Sequence, residues 1–152
     1  MTAPAPSMIE MDFVVMSEDY SRYLLQDGTT LKVKIVVRKI FRTAEITLQG
    51  YPASLGIDST NAVVAIVPPA LKRAPSKERF DPARDVGDEV KFDPIEEKWQ
   101  TYKTPEGYKI LVKPVLTKVI KYKKYNQYGE PIYSAVIQAI TNIEKITSTV
   151  TP

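Results

Sequence analysis

Apolar and polar side chains alternate along two stretches of the chain that resemble each other. The first is TTLKVKIVVRKIFR, at positions 29–42, and the second is YKILVKPVLTKVIKYKKY, at positions 108–125. Alternation of this kind, rich in Val and Ile, predicts β-strands. Because both stretches greatly exceed the usual strand length, we expect a bulge or bend midway along each. Pro114, near the middle of the second stretch, has no amide hydrogen to donate to a neighbouring strand.

The two stretches belong to a longer internal repeat with an offset of 79 residues. Aligning positions 8–52 with positions 87–131 gives 45 ungapped positions, 11 of which are identical. This pattern predicts two copies of one unit of about 60 to 65 residues. Chance similarity between two β-rich stretches is the alternative. The identical pairs are Glu10/Glu89, Phe13/Phe92, Glu18/Glu97, Tyr23/Tyr102, Gly28/Gly107, Val33/Val112, Lys34/Lys113, Val36/Val115, Lys39/Lys118, Gly50/Gly129 and Pro52/Pro131.

Turn signals recur at the same offset and divide each copy into strands. The sequences QDG and PEG place a glycine where a tight hairpin requires a positive φ, and LQGYP and QYGEP mark a second turn. We therefore predict a short strand (20–25 or 99–103), the long strand, and a final strand (62–67 or 132–140) in each copy. Only positions 93–99 suggest a helix, and the matching positions of the first copy favour a strand or turn. The turn residues are Gly28, Gly107, Gly50, Gly129, Pro52 and Pro131.

These elements predict an all-β protein of two tandem, pseudo-symmetric small antiparallel barrels or curled sheets, derived from an internal duplication. The predicted units are repeat 1 at 8–67, a linker rich in Pro and charged residues at 68–86, and repeat 2 at 87–147. A unit of this size buries little surface, so we expect the repeats to pack as one globule or the chain to oligomerise. The predicted core residues are Phe13, Leu31, Val33, Val37, Phe92, Trp99, Ile110, Val112 and Leu116.

The inventory of side chains excludes several kinds of chemistry. The chain of 152 residues has no Cys and no His, which excludes disulfides, thiolate chemistry, the usual zinc sites and imidazole catalysis. Acidic residues precede each first strand, but they lack the alternating ligands and glycine of a known Ca²⁺ loop, so ion pairing is the simpler interpretation. No nucleophile or phosphate-binding motif is found. We therefore predict no enzymatic activity, no metal and no cofactor.

The composition also bears on where the protein works. The N-terminal MTAPAPSM lacks the basic and apolar regions of a secretory signal, and no apolar run approaches the length of a membrane span. We therefore expect a cytoplasmic protein with no membrane partner. The absence of Cys and His together with abundant Lys, Glu, Val and Ile would suit a hot environment.

Lysine and tyrosine residues are interleaved along the second long strand and the turn that follows it. Basic side chains for phosphates combined with aromatic rings for base stacking are typical of proteins that bind single-stranded nucleic acids on a sheet. The alternative is structural: Lys protects exposed strands from edge pairing, and Tyr packs with a hydrated hydroxyl group. The candidate nucleic-acid contacts are Lys109, Lys113, Lys121, Tyr122, Lys123, Lys124, Tyr125 and Tyr128.

The first copy favours the structural alternative, because its corresponding segment FRTAEIT has one charge of each sign and no Tyr. The net charge of +3 is also small for a nucleic-acid-binding protein. The sequence therefore predicts a non-enzymatic binding or assembly module whose partner is a protein, including a second copy of itself as a homo-oligomer. Nucleic-acid binding through the second repeat is the alternative.

Overall fold

The computed structural model describes residues 7–146, and these residues form two antiparallel sheets of five strands each. The predicted all-β class is confirmed. Positions 1–6 and Thr147, at which the second predicted repeat ends, lie outside the described residues. The strands are β1 (Met8–Met11), β2 (Val14–Ser17), β3 (Ser21–Leu25), β4 (Thr30–Thr43), β5 (Leu55–Ile66), β6 (Gly87–Glu89), β7 (Phe92–Glu96), β8 (Gln100–Lys103), β9 (Tyr108–Tyr125) and β10 (Pro131–Lys145).

The two sheets have corresponding strand orders. Sheet A runs β1-β4-β3-β7 with β5 also paired to β4, and sheet B runs β10-β9-β8-β2 with β6 also paired to β9. On the edge of β4 opposite β5, β3 pairs with positions 30–33 and β1 with positions 40–43. On the matching edge of β9, β8 pairs with positions 109–112 and β6 with positions 120–122. Both long strands therefore carry two short strands on one edge, in registers that differ by the same offset as the sequences.

The predicted irregularity in each long strand is confirmed. The pairing of β4 with β5 shifts between Val37 and Lys39, and the pairing of β9 with β10 shifts at the matching place, between Leu116 and Lys118. An extra residue at such a point bends and twists a long strand. Each bulge therefore lies between the two short strands that pair with the long strand, and it bends the long strand between them.

The predicted turns are also confirmed, and the final strands are longer than predicted. Gly28 and Gly107 have φ values of 93° and 89°, in the region that side chains disfavour. Gly50 and Gly129 likewise have positive φ. Pro52 forms an isolated bridge with Ile46 beside the first of these turns, and Pro131 begins β10 after the second.

The two halves of the chain exchange a strand. The sequence predicts that each repeat pairs its own strands, whereas β2 of the first half pairs with β8 of the second, and β7 of the second half pairs with β3 of the first. Each sheet is thus completed by a strand from the other half. The cause is that residues 8–17 and residues 87–96 each run along one sheet and then cross to the other.

Two further expectations require correction. Of the two predicted alternatives, barrels or curled sheets, the barrels are not observed, since no pairing within residues 7–146 closes either sheet. The suggested helix at 93–99 is absent, because Phe92–Glu96 forms strand β7. The linker contains a single short 3-10 helix at Pro69–Leu71, where the ring of proline is compatible with a first helical turn.

The apolar core lies between the two sheets, and six of the nine predicted core residues belong to it. Leu31, Val33 and Ile110 are fully buried, as are Val112, Val37 and Leu116 to within a few per cent. Phe13 and Phe92 are only half-buried. Trp99 is 41% exposed, so its assignment to the core was wrong. The phase of β8 explains this exposure: Gln100 and Tyr102 point inward, and the ring of Trp99 therefore lies on the outer face of the sheet.

Replacing Val112 by Ala should lower the free energy of unfolding by about 1 to 3 kcal/mol, because a side chain with 1% exposure would leave a cavity. Urea unfolding followed by circular dichroism measures the change. The matched control is Val14→Ala on β2, where the side chain is 63% exposed and the loss should stay within about 0.5 kcal/mol. Equal losses for the two variants would show that the core is placed wrongly.

Candidate functional site

Two reciprocal hydrogen bonds join the halves of the chain. The hydroxyl group of Tyr23 donates to Glu97 at 2.7 Å, and the hydroxyl group of Tyr102 donates to Glu18 at 2.8 Å. The two bonds are related by the repeat offset, and each joins a tyrosine of one half to a glutamate of the other. Both tyrosine side chains are buried. These residues therefore fasten the exchanged strands and are not free for chemistry.

A second set of contacts fills a gap along each long strand. Residues 34–39 of β4 have no strand partner on the edge shared by β3 and β1. The buried side chain of Gln100, from the other half, accepts a hydrogen bond from the amide of Ile35 at 2.8 Å and donates one to its carbonyl group. Buried backbone groups require such partners. Gln100 thus acts as a substitute for the missing strand.

The corresponding gap in β9 is filled by Tyr23. Its hydroxyl group accepts a hydrogen bond from the amide of Leu116 at 3.2 Å and lies 3.4 Å from the carbonyl oxygen of Pro114. Pro114 corresponds to Ile35, so its ring nitrogen faces the gap and not β10. A proline is tolerated in this 18-residue strand because no ladder hydrogen bond is due at that point.

Ion pairs also cross between the halves, at the tips of the hairpins. Asp27 lies 3.0 Å from the ammonium group of Lys121, and Glu106 lies 2.8 Å from the guanidinium group of Arg42, at the matching positions. Asp27 also accepts a hydrogen bond from Tyr133 at 2.6 Å. Burial would raise the pKa of Asp27, but the hydrogen bonds from Tyr133, Thr29 and Lys121 outweigh it and lower that pKa. Burial, followed by the hydrogen bond to Asp27, raises the pKa of Tyr133.

The structure brings only four of the eight predicted nucleic-acid contacts together, around one open pocket that is also lined by Asp88 and Val90: Lys121, Tyr122, Lys123 and Tyr125. Lys121 is paired with Asp27, and Lys124 lies 3.0 Å from Asp85. A hydrogen bond from the amide of Asp81, followed by one from Lys124, lowers the pKa of Asp85. The positive charges of both lysines are therefore balanced by carboxylates of this chain, which weakens their attraction for phosphate.

The tyrosines of the same segment differ in their surroundings. Tyr122 packs edge-on against Phe80 of the linker, with ring centroids 4.8 Å apart. The amide of Tyr125 donates to the hydroxyl group of Ser76, also in the linker. Tyr128 and Lys123 are exposed. The linker thus covers part of the segment that the sequence assigned to base stacking.

The two remaining candidate lysines lie far from this segment. Lys109 and Lys113 are near the start of β9, and 15 residues separate Lys109 from Lys124, a distance of up to about 50 Å along a strand. The ammonium group of Lys113 lies 5.6 Å from the centroid of the Trp99 ring. The corresponding Lys34 lies 4.9 Å from the ring of Tyr20. The shared lysine of each repeat therefore covers an aromatic ring on the outer face of its sheet.

Some of the acidic residues that precede the first strands form ion pairs, which the sequence favours as the simpler alternative to a metal site. Glu10 lies 3.3 Å from Lys39, and Glu18 lies 4.0 Å from Lys34. Within residues 7–146 no group of three or more carboxylates is arranged to hold a metal ion. Glu89, Lys91 and Asp93 line an open cleft of about 860 Å³ beside the end of β3. These side chains alternate in sign, so the cleft lacks the concentrated charge that would select an ionic ligand.

The free edges of the two exchanged strands differ sharply in chemistry. Val14, Val15 and Met16 of β2 are 63%, 49% and 60% exposed. At the matching positions β7 carries Asp93, Pro94 and Ile95. Charged residues and proline are the usual protection of an exposed strand edge against pairing with another chain. The edge of β7 is therefore protected, and the edge of β2 is apolar and open.

Comparison with known proteins finds no family model, curated protein or solved structure that matches this chain. The described part of the chain contains no helix long and apolar enough to cross a membrane. Candidate sites must therefore be judged on their own geometry and chemistry.

The open edge of β2 was not predicted, because the similarities between the repeats do not reveal it. A signal was present in their differences. MIEMDFVVM at 8–16 aligns with GDEVKFDPI at 87–95, so an apolar segment stands where the second copy has charges and a proline. Only the strand exchange shows that both segments end on a free sheet edge.

Stability should fall at alkaline pH because of the tyrosines between the halves. Burial, followed by the hydrogen bond to Glu97, raises the pKa of Tyr23 from its ordinary value of 10.0 to about 12. The pKa of Tyr102 is also raised, by burial and by the bond to Glu18. The folded state favours the neutral phenol, so this stabilisation is fully present below pH 10 and is lost as the pH rises towards 12 and beyond.

Urea unfolding midpoints measured from pH 8 to pH 12 test this dependence, with the double variant Tyr23→Phe and Tyr102→Phe beside the wild type. The variant should be less stable at pH 8, by about 1 to 3 kcal/mol for each hydroxyl group removed, because buried partners lose a hydrogen bond. Its midpoint should also fall less steeply above pH 10. Parallel curves for the two proteins would contradict the assigned role of the tyrosines.

Proposed function

We propose that this protein is a non-enzymatic binding module that docks a strand of a partner protein along the free edge of β2. The observation that carries the proposal is the exposure of Val14, Val15 and Met16 on an edge that pairs with no strand of the described chain. An added strand would hydrogen-bond to the backbone of β2, and its side chains would cover these apolar residues. Strand addition of this kind is a common mode of peptide recognition.

The protected edge of β7 strengthens the proposal, because it occupies the corresponding place in the fold. β7 pairs with β3 while carrying Asp93, Pro94 and Glu96, so the architecture does not require an apolar sequence at this position. Exposed apolar side chains on a sheet edge promote unwanted association unless they serve a partner. The apolar sequence of β2 is therefore best explained by docking.

The matching registers also support the internal duplication inferred from the sequence. The strand orders, the bulges and the reciprocal Tyr–Glu bonds all recur at the offset of 79 residues. In this view the two copies began with equivalent edges, and one edge kept its protection while the other became a docking strand. The absence of His and Cys from the chain is in keeping with a binding role.

A double variant, Val14→Asp with Val15→Pro, tests the docking edge by giving β2 the residues that β7 carries at those positions. The probe is a capped eight-residue peptide of alternating Thr and Val, titrated into ¹⁵N-labelled protein and followed by amide NMR. In the wild type, the peptide should shift the amides of β2 and β8, with binding in the millimolar range. The variant should lose this response, since its edge offers one fewer donor and a charge.

A matched control replaces Ile95 by Ala on the protected edge of β7, which should leave peptide binding unchanged. The urea midpoint of each variant shows whether it is folded. Peptide-induced shifts that persist in the Val14→Asp, Val15→Pro variant, or that never involve β2 in the wild type, would refute the proposal. Titration of the wild type with single-stranded RNA in the same buffer tests the alternative, and shifts along β9 in place of β2 would favour it.

A further inference from the structure

We infer that the strand which docks on β2 carries a basic residue at each end of an apolar centre; this inference rests on the docking function proposed above. Two exposed carboxylates, Asp12 and Asp19, flank the apolar stretch of β2 on its two sides. Within the described residues neither carboxylate lies within 4.0 Å of a basic side chain. Seven residues separate them, a span of at most about 25 Å.

The second half of the chain shows that these charges are not imposed by the fold. Lys91 and Lys98 stand at the positions that correspond to Asp12 and Asp19. The two sheet edges therefore carry flanking charges of opposite sign. A basic residue does lie near β2, since Lys103 of β8 pairs with Val14, but it lies one strand further from the free edge. Asp12 precedes β2 by two positions and Asp19 follows it by two, so a strand paired along this edge would run between them.

A second copy of the same strand is a poor occupant of this edge. If β2 paired with its own copy about a two-fold axis at Val15, Val14 would face Met16 and Asp12 would face Glu18. Two pairs of like charges would then lie directly opposite each other, which destabilises an antiparallel pair. Moving the axis to Val14 or to Met16 removes this repulsion, but it places a carboxylate opposite an apolar side chain, since Asp12 then faces Met16 or Glu18 faces Val14.

The other free edges of a second copy are no better suited. β7 offers Lys91 and Lys98 at the right spacing, but Glu96 would then face Val14, and Pro94 has no amide hydrogen to donate. β1, β5 and β6 contain no basic residue, and β10 contains only Lys145. The occupant that satisfies both the apolar centre and the acidic flanks is a strand of a different protein, with two Lys or Arg residues about seven positions apart.

Three capped eight-residue peptides with the same alternating Thr and Val centre test the inference, ending in Lys, Ser or Glu on both sides. In amide NMR titrations at 20 mM salt, the Lys-ended peptide should bind about threefold to tenfold more tightly than the Ser-ended peptide, and the Glu-ended peptide more weakly than either. Partly exposed ion pairs contribute this much, and the preference should shrink at 500 mM salt as the charges are screened.

The matched variant is Asp12→Lys with Asp19→Lys, which gives the first half the flanking residues of the second. It should reverse the order of the three peptides while the shifted amides remain those of β2 and β8. Equal affinity for all three peptides in the wild type would overturn this inference and leave the docking function standing. If none of the peptides shifts the β2 amides, the docking function fails as well.

Light scattering of the unliganded wild type separates a second copy from a different partner. A monomer mass from 10 to 500 µM is expected. A concentration-dependent dimer that disappears in the Val14→Asp, Val15→Pro variant would show that a second copy occupies the edge, and would overturn the inference of a basic-ended partner.

Discussion

The hydrogen-bonding requirement of a buried strand edge governs this structure. β4 and β9 each pair with one long strand along one edge and with two short strands along the other, and a gap separates the short strands. Backbone groups that face the gap are buried and need partners. The chain supplies them from the opposite half, through Gln100 for Ile35 and through Tyr23 for Leu116. Each half is therefore incomplete without the other.

This requirement explains several of the residues that the two halves have in common. The identical pairs Tyr23/Tyr102 and Glu18/Glu97 form the reciprocal hydrogen bonds between halves. Phe13 and Phe92, also identical, pack edge-on against the tyrosines of the opposite half, with ring centroids 5.7 and 5.8 Å apart. Residues at the free edges of β2 and β7 face no such constraint, and there the two halves differ. The exchange of strands thus fixes the interior while leaving each edge free to change.

The sequence predicts the local features of this fold well, because those features depend on near neighbours in the chain. Alternation along β4 and β9 identifies buried Val33 and Val112, and the glycines of the tight turns follow from their backbone requirement. The strand exchange could not be predicted, since β2 and β7 are short and their patterns do not specify a partner. Trp99 was misplaced for a related reason: its orientation depends on the phase of β8, which a four-residue strand barely defines.

The candidate site, the free edge of β2, lies where the contacts between the two halves do not restrict the sequence. Some of the lysine and tyrosine residues that suggested nucleic-acid binding have partners within this chain. Lys121 forms an ion pair with Asp27, and Tyr122 packs against Phe80 of the linker. A composition pattern could not reveal these partners, because they lie more than 35 residues away in sequence. The apolar edge of β2 becomes visible only when its structural counterpart, β7, is identified. The contrast between these two strands is the basis of the proposed function.

The most direct test of this account is to exchange the protecting residues between the two edges. A variant would carry Val14→Asp and Val15→Pro on β2 together with Asp93→Val and Pro94→Val on β7. Amide NMR should then show that an added strand peptide shifts β7 and β3 in place of β2 and β8. Binding that stays on β2, or shifts that appear on neither edge of a folded variant, would contradict the account.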